Sequence, residues 1–306
     1  VSDDLPSQTT LFGVLRYLGI KEKKADYSLS ENDISNIGNE SFDLAKEGQS
    51  FGRIIGISPL YLTDQNNQFY IKTPLNHKNG SEKYTPFTEY REVQTSAGMK
   101  LLPEDYDAKA GIACSFVCLS DGVVVTDVFR SVEKVGINIT QKEDAYFKKK
   151  YKLLTGYSFS FFAEVEEGFP EITDQVVFLG QGKSAFEAKV LSDIEEPDFS
   201  IILEKLENHP CPVALALSDI YLKQDILQLY ELCNFAMISN KGYRVFSTNY
   251  ERGVAQIKRF NKSTHYINLI ETGSLFLISD MDNFQVAIDN GHAKKAGFNY
   301  VLIGGN

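Results

Sequence analysis

The sequence predicts an α+β fold made of two domains. Its 306 residues suit two domains of roughly 100–200 residues each, which we place at 1–208 and 209–306. In each half a helix is followed by strands, and then by a further helix and strand. This order is typical of an α+β sandwich such as a ferredoxin-like (RRM-like) domain, and the apolar content of 43% can fill its core.

The first predicted element is a helix in PSQTTLFGVLRYLGI, residues 6–20. Gly13 falls in its second turn, where glycine costs about 0.5–1 kcal/mol relative to alanine. That cost indicates that a backbone or a nucleotide packs closely against this turn. A ferredoxin-like domain begins with a strand, and the sequence predicts none before this helix.

Two interpretations of this helix stay open. An ordinary buried helix would place on the core face Leu11, Leu15 and Leu18. A phosphate cradle would use the free N–H groups of the first turn, together with the hydroxyls of Ser7, Thr9 and Thr10.

The next hundred residues predict short strands within irregular chain. Residues 21–50 are polar without a sustained period and predict an irregular segment. Extended segments follow at 51–62 and 69–75. We expect a loop over 76–110, with a turn at Asn79-Gly80.

Strands resume at 111–132, where Asp121-Gly122 separates two β-rich runs and predicts a hairpin. VGINIT (135–140) and AYFKKKYKLL (145–154) alternate with a period of two and predict two more strands. In the second, one face carries Tyr146, Lys148, Lys150 and Lys152. Such a face either keeps an exposed hairpin soluble or contacts the phosphates of a nucleic acid. A further strand is predicted at 157–166.

The second half begins after an acidic stretch at 192–208, which predicts a helix that closes the first domain. Strand signals at 211–222 open the second domain. Residues 226–238 mix helix and strand signals, and 266–278 predict a strand, a turn and a strand.

The chain is predicted to end on a helix at 283–295, which stops at Gly297, and on a strand in FNYVLIGG. Glycines near this end either cap and turn the chain or admit a ribose–phosphate backbone; they are Gly291, Gly297, Gly304 and Gly305.

The charge excludes a protein that coats nucleic acid without selection, because the net charge is −10. Seven basic and three acidic residues lie between Arg130 and Lys152, whereas 164–207 is strongly acidic. The basic stretch at 241–262 is interpreted first as a solvated loop. The sequence therefore predicts a discrete basic surface, and an acidic one that suits a basic partner.

Cysteine and histidine spacing gives no metal site. The four cysteines lack a CxxC pair, and the four histidines lack metal-motif spacing and a nearby nucleophile motif. We expect reduced thiols, no metal and no cofactor. No apolar stretch approaches the length of a membrane span and no signal peptide is evident, so we expect a cytoplasmic protein.

VFLGQGKSAF is similar to a phosphate-binding P-loop at Gly182-Lys183-Ser184. That motif requires a glycine where Val177 stands, so nucleotide hydrolysis is excluded here. The stretch predicts a tight turn between two strands, or a turn in which Gly180, Gly182 and Lys183 approach an RNA backbone.

Five segments together resemble, in order, the third-subunit family of type III-B CRISPR (Cmr) effector complexes, in the RAMP superfamily. They are PSQTTLFGVLRYLGI, FGRIIGISPLYL, VEKVGINITQKEDAYFKKKYKL, VVFLGQGKSAF and GFNYVLIGG. The equivalent subunit of type III-A complexes is the neighbouring possibility.

The resemblance implies two ferredoxin-like domains, a β-hairpin thumb at about 132–154 and a glycine-rich C-terminal region. It implies a non-catalytic subunit that holds the 5′ handle of the CRISPR RNA and meets target RNA through the assembled complex. Implied protein partners are the large polymerase-like signature subunit and the first backbone RAMP subunit.

The RNA-binding residues that the resemblance and the basic pattern predict lie in four segments. They are Ser7, Thr9, Thr10, Arg16, Arg130, Lys134, Asn138, Thr140, Lys142, Tyr146, Lys148, Lys150, Lys152, Gly182, Lys183, Lys294 and Lys295.

The alternative is an endoribonuclease of the same superfamily that processes CRISPR repeat RNA. It would need a histidine within hydrogen-bond reach of the attacking 2′-hydroxyl. None of the four histidines lies in a segment that we associate with that role. The sequence departs from the family pattern in two places: the family's N-terminal strand has no counterpart here, and residues 21–50 have no counterpart in the family.

Overall fold

A computed structural model describes residues 5–21, 29–96, 98–104, 106, 114–138, 145–179, 184–192, 194–247 and 261–305. The helices are α1 (Gln8–Leu18), α2 (Glu31–Ile37), α3 (Ser200–Leu206), α4 (Ile226–Glu231), α5 (Met281–Ile288) and α6 (Gly291–Lys295).

The first thirteen strands belong to the N-terminal part of the chain. They are β1 (Ile54–Ile57), β2 (Tyr61–Thr63), β3 (Phe69–Lys72), β4 (Tyr90–Thr95), β5 (Gly98–Pro103), β6 (Phe116–Cys118), β7 (Val124–Val125), β8 (Phe129–Asn138), β9 (Ala145–Leu154), β10 (Ser158–Ser160), β11 (Ala163–Val165), β12 (Gln175–Leu179) and β13 (Ser184–Ala188).

The remaining strands follow α3. They are β14 (Val213–Ala216), β15 (Ile220–Tyr221), β16 (Cys233–Met237), β17 (Asn240–Ser247), β18 (Asn261–Ile270), β19 (Leu275–Ile278) and β20 (Val301–Gly304).

The predicted α+β class is confirmed. In the N-terminal half, a five-stranded sheet has the order β10-β2-β3-β6-β7, and β1 pairs with β11. Three further strand pairs form separate ribbons: β4–β5, β8–β9 and β12–β13. All ladders among the described residues are antiparallel, so short turns and hairpins make most of the connections.

The C-terminal half has a four-stranded sheet in the order β16-β19-β14-β20. Along the chain its elements run β14, α4, β16, β19, α5, α6 and β20, so helices connect strands that are not neighbours. A three-stranded sheet, β15-β18-β17, is made within the same half.

Four predictions of local structure were wrong in part. The segment 21–50 contains α2, which Ser30 caps by accepting from the Asp33 N–H while Asp33 accepts from the Ser30 N–H. The predicted loop at 76–110 contains the β4–β5 hairpin. The basic stretch 241–262, interpreted as a loop, lies partly in β17 and β18. The predicted helix at 283–295 is two helices, because Asn290 starts a new one by capping α6.

Other predictions were confirmed. The Asp121-Gly122 hairpin forms between β6 and β7, and the strands around 266–278 form as β18 and β19. Residues 226–238, which carry both helix and strand signals, contain a helix and then a strand. The 192–208 helix is shorter than the acidic stretch and covers Ser200–Leu206.

Buried side chains from both halves share two cores. In the first, α1 and the following loop pack against C-terminal residues, and its members include Leu11, Phe12, Leu15, Phe51, Leu269, Ala296 and Phe298. In the second, the five-stranded sheet packs against the four-stranded one, and its members include Tyr61, Ile71, Val117, Ile202, Leu206, Val213 and Leu277. The division at residue 208 stays a prediction.

Candidate nucleic-acid interface

The β8–β9 hairpin is a long ribbon anchored at its base. Phe129 and Leu154, the first and last residues of the two strands, pack on the small core around Phe116. The rings of Phe116 and Phe129 lie 6.1 Å apart, and the Thr155 N–H donates to the Val128 carbonyl. Ten residues per strand extend the ribbon by roughly 30 Å. This hairpin corresponds to the predicted thumb at 132–154.

The register of this hairpin assigns its residues to two faces. Tyr146, Lys148, Lys150 and Lys152 alternate along β9, as the sequence predicted. Their partners on β8 are Ile137, Val135, Glu133 and Ser131, in that order. Directly opposite residues of an antiparallel pair share a face. One face therefore has three lysine positions, one tyrosine and a single acid, Glu133.

The opposite face holds a second basic set. Arg130, Lys134 and Asn138 pair with Leu153, Lys149 and Ala145. The predicted RNA-binding residues of this hairpin are thus divided between its two faces. Sequence reasoning missed Lys149, although the hairpin register places it directly across from Lys134. Thr140 and Lys142 lie outside the described residues.

The charge of this ribbon is opposite to that of the whole chain. Its two strands contain six basic residues and one acidic residue, in a chain of net charge −10. Arg130, Glu133 and Lys152 are exposed, and Val135 is 64% exposed although it is apolar. A basic ribbon that projects apolar positions into solvent suits a polyanion with bases to contact.

The hydroxyls at the start of α1 form a cluster. Ser7 Oγ lies 3.1 Å from Thr9 Oγ1 and 2.9 Å from Thr10 Oγ1, and the Tyr243 hydroxyl donates to Thr9 Oγ1. Ser7 occupies the N-cap position but accepts no side-chain capping bond. The predicted cradle residues are therefore brought together, with their hydroxyls bonded to one another.

Gln8 links α1 to the glycine-rich C-terminal end. Its side chain is only 5% exposed, and its Oε1 has no hydrogen-bond partner among the described residues. Gly297 has φ +85°, and a Cβ there would lie 2.7 Å from the Ser58 carbonyl oxygen and 3.0 Å from Gln8 Oε1. Only glycine fits this close approach. The structure therefore agrees with the interpretation that Gly297 turns the chain after α6.

Gly13 has a different environment from the one predicted. It is exposed, and a Cβ built on it meets no described atom within 4 Å. The prediction that a backbone of the chain itself packs closely against Gly13 is therefore wrong. The nucleotide interpretation stays a prediction, and the open helix surface leaves room for it.

Arg16 makes contacts within the chain. Its Nε donates to the Ile37 carbonyl at 2.8 Å and its Nη2 to the Gly38 carbonyl at 3.1 Å, at the end of α2. Its guanidinium lies 5.8 Å from the centre of the Phe51 ring. Burial lowers the pKa of Arg16 to about 10. These contacts tie α1 to α2, while contact of Arg16 with RNA stays a prediction.

The other predicted site residues lie apart or outside the described residues. Lys294 of α6 forms an ion pair with Asp289, which caps the end of α5, at 2.9 Å, and Lys295 is exposed beside Gly56 of β1. Leu179 and Ser184 face each other in the β12–β13 hairpin, which is the strand pairing expected around the turn. Gly182 and Lys183 themselves are not among the described residues.

Three of the four histidines, namely His77, His209 and His292, have a structural partner, and the fourth, His265, lies in β18. His77 Nδ1 accepts from the Thr85 N–H. His292 Nε2 lies 2.8 Å from the Asp43 carbonyl oxygen, and its ring stacks on Phe42. His209 lies in a buried network with Tyr90 and Asn76. In the described part of the chain, no three His, Cys, Asp or Glu side chains are grouped to hold a metal ion.

Comparisons with known proteins give a structural likeness. No protein-family model and no curated protein matches the sequence. A solved chain that is similar belongs to the cryo-EM structure of the type III-B Cmr-beta bound to cognate target RNA and AMPPnP, state 1. The TM-score is 0.51 at 14% sequence identity, over 98% of this chain and 88% of that one. The fold of this chain is thus similar to that of a chain in a Cmr assembly. No helix in the described ranges is long and apolar enough to cross a membrane.

Proposed function

We propose that this chain is a non-catalytic RNA-binding subunit of a type III CRISPR effector complex, equivalent to the third subunit of type III-B complexes. The observation that carries the proposal is the register of the β8–β9 hairpin. It lines up Lys148, Lys150 and Lys152 on one face of an anchored basic ribbon. Phosphate contacts of this kind set the position of an RNA without reading its sequence.

The fold supports the same assignment. The similar chain belongs to an assembly bound to target RNA, and the likeness extends over 98% of this chain. In the C-terminal half, the element order and the sheet order β16-β19-β14-β20 support a ferredoxin-like domain. We propose a ferredoxin-like domain for the N-terminal half as well, although its sheet has the different strand order β10-β2-β3-β6-β7.

Within the complex, the chain would hold the 5′ handle of the CRISPR RNA and contact target RNA. It would dock the large signature subunit and the first backbone subunit in the cytoplasm. The acidic surface around 164–207 suits a basic face on one of these proteins, because complementary charge speeds and orients association. Co-purification from the host is expected to recover a much larger subunit together with RNA; a self-associated, RNA-free species would contradict the proposal.

We propose no catalytic step for this chain. A general base must lie within hydrogen-bond reach of the hydroxyl that it deprotonates. His77, His209 and His292 are each engaged within the fold, and burial lowers the pKa of His209 to about 4. Purified protein with repeat-containing transcript, with and without Mg²⁺, is expected to give no specific product. Cleavage that disappears when one histidine is replaced would establish the endoribonuclease instead.

The direct test removes the three lysines of one face. Lys148→Ala, Lys150→Ala and Lys152→Ala together are expected to weaken guide-RNA binding in the assembled complex. The slope of log affinity against log salt should fall by roughly 2, since each phosphate contact contributes about 0.7 for single strands.

A charge-matched control removes three lysines elsewhere. The side chains of Lys189, Lys205 and Lys223 are about half exposed, and each lies near a glutamate outside the β8–β9 hairpin. Their replacement by alanine changes the net charge equally and is expected to leave the slope unchanged. Equal loss in both variants would mean that total charge, and not the β8–β9 hairpin, controls binding.

A further inference from the structure

The β17–β18 hairpin is a second basic ribbon, separate from β8–β9. Its strands pair over Asn240–Ser247 and Asn261–Ile270, and β17 is the edge strand of the sheet β15-β18-β17. The strands contain Lys241, Arg244 and Lys262, and they contain no Asp or Glu. Such a strand pair attracts an anionic ligand in spite of the acidic chain around it.

One face of this hairpin packs on the protein. Leu269 is buried in the first core, and Ile267 and Tyr243 pack against the same core. Tyr243 also donates its hydroxyl hydrogen to Thr9 Oγ1 and lies 6.3 Å from the Phe298 ring. Lys241 is held 3.7 Å from Asp219. This inner face is therefore occupied by structural contacts.

The outer face presents an aromatic ring. Gly242, Tyr266 and Asn268 are exposed, and Tyr266 is 62% exposed. Gly242 pairs with Asn268 and Arg244 pairs with Tyr266, so the four positions share this face. The register shifts after Arg244, and Lys262 lies further along the same hairpin, opposite Phe246.

The Tyr266 ring lies over the glycine. A Cβ built on Gly242 would be 3.6 Å from Tyr266 Cδ1 and 4.0 Å from Cε1, which is ordinary van der Waals contact. Because glycine adds no side chain beside the ring, a planar ligand can approach along the ribbon. An exposed ring, an amide and cationic positions are the groups that bind unpaired bases and their phosphates.

We propose that the outer face of β17–β18 is a single-stranded RNA site, in which an unpaired base stacks on Tyr266 and the phosphates lie near Arg244 and Lys262. This site goes beyond the β8–β9 contact proposed above, because its residues lie on a different sheet. The charge of the strands favours RNA over a protein ligand. An apolar docking face for a protein would not require strands that contain cations and lack acidic residues.

The test uses full-length protein and 5′-labelled oligouridylate, with affinity measured over a range of salt. Tyr266→Ala is expected to weaken binding about 5- to 150-fold, the equivalent of one base–aromatic stack. Tyr266→Phe should retain affinity. Arg244→Gln with Lys262→Gln should reduce the salt slope by roughly 1.4. Leu227→Ala on α4 is the control, because Leu227 is also 62% exposed.

Tyr266→Leu separates binding from stability. An aromatic ring that packs over a glycine on the neighbouring strand also stabilises an edge strand, because it covers the glycine backbone. A leucine at position 266 would still cover part of the Gly242 backbone but offers no flat surface for a base to stack on. We expect Tyr266→Leu to bind as weakly as Tyr266→Ala while unfolding at nearly the wild-type temperature. Leucine that binds like tyrosine would overturn the proposal and leave Tyr266 a structural residue.

The two RNA sites can fail independently. Loss of binding in the β8–β9 lysine variant with wild-type binding in Tyr266→Ala would refute this inference and keep the proposed function. The reverse result would refute the β8–β9 contact and support this site. A Tyr266→Ala variant that binds RNA normally but loses self-association would identify a protein interface and overturn the RNA site.

Discussion

The Tyr243 hydroxyl donates a hydrogen bond to Thr9 Oγ1 over 3.0 Å and joins two residues that are 234 positions apart. It fastens the inner face of β17 to the first turn of α1. Because α1 packs in the same core as Leu269 and Phe298, the start of the described chain and its C-terminal half are held together at this point.

Removing this bond tests how firmly the two elements are joined. Tyr243→Phe is expected to lower the free energy of unfolding by about 1 kcal/mol, the usual net value of one hydrogen bond. Burial already raises the pKa of Tyr243, in agreement with a hydroxyl that water reaches poorly. Denaturant unfolding measures the change. An unchanged free energy of unfolding in Tyr243→Phe would show that the bond contributes nothing to stability.

The His209 network predicts a loss of stability in acid. Tyr84 donates to Asn76 Oδ1, so the Asn76 amide N–H₂ group faces His209 Nε2 at 3.4 Å. Tyr90 donates to the Phe87 carbonyl, so its oxygen accepts from His209 Nδ1 at 2.6 Å. A proton on Nε2 would then point at a donor. Burial lowers the pKa of His209 to about 4.

The sign follows from proton binding. Between pH 6.5 and about pH 4 the unfolded chain binds a proton at this histidine and the folded chain does not. Stability should therefore fall as the pH falls through 6.5, by about 2 kcal/mol at pH 5. His209→Gln should lose less between pH 7 and pH 5 than wild type, in urea unfolding at each pH. Parallel curves for the two proteins would contradict the assignment.

Gly13 predicts opposite effects on stability and binding. Its surroundings are open and its helix is regular, so Gly13→Ala should stabilise the fold by about 0.5–1 kcal/mol. The added methyl group should also weaken guide-RNA binding, since it fills the space that the nucleotide interpretation assigns to RNA. Stabilisation with unchanged RNA affinity would exclude RNA contact at this turn.

What the sequence could predict depended on local signals. The Asp121-Gly122 turn and the alternation of AYFKKKYKLL are visible within a few residues, and both gave the correct strands. The α2 helix had a local signal too, because Ser30 and Asp33 form a capping box, but the polar composition around it concealed the helix.

The β4–β5 hairpin had no such signal. Half of its strand residues are exposed, and the hairpin is held by long-range contacts, such as Tyr90 with His209 and Lys100 Nζ with the Cys233 carbonyl. The division of basic residues between the two faces of β8–β9 likewise depends on register. Which residue of one strand opposes which residue of the other cannot be read from either strand alone.

Tyr146 predicts a binding effect without a charge effect. It lies opposite Ile137 on the lysine face of β9, and an aromatic residue contacts bases rather than phosphates. Tyr146→Ala should weaken guide–target binding in the assembled complex while leaving the salt slope nearly unchanged. The lysine variant should change the slope, so the two substitutions give different signatures. A reduced slope in Tyr146→Ala would mean that the hairpin had been displaced as a whole.

Glu133 predicts a gain of affinity. It lies directly opposite Lys150 and is the only acid in the two strands of this ribbon. Opposite charges at paired positions interact by roughly 0.2–1 kcal/mol, so we expect Glu133 to compete with phosphate for Lys150. Glu133→Gln should therefore bind guide RNA more tightly at low salt, by about 2- to 5-fold.

A double-mutant cycle tests whether Lys150 mediates that gain. If it does, Glu133→Gln should add little in a Lys150→Ala background, because the competition has already been removed. Glu92→Gln, an exposed glutamate on β4, controls for the change in net charge and should leave affinity unchanged. A gain that persists without Lys150 would assign the effect of Glu133 to the general field of the ribbon, and a gain in Glu92→Gln would assign it to the charge of the whole chain. Binding isotherms at two salt concentrations distinguish these results, since a local competition for phosphate weakens as salt screens it.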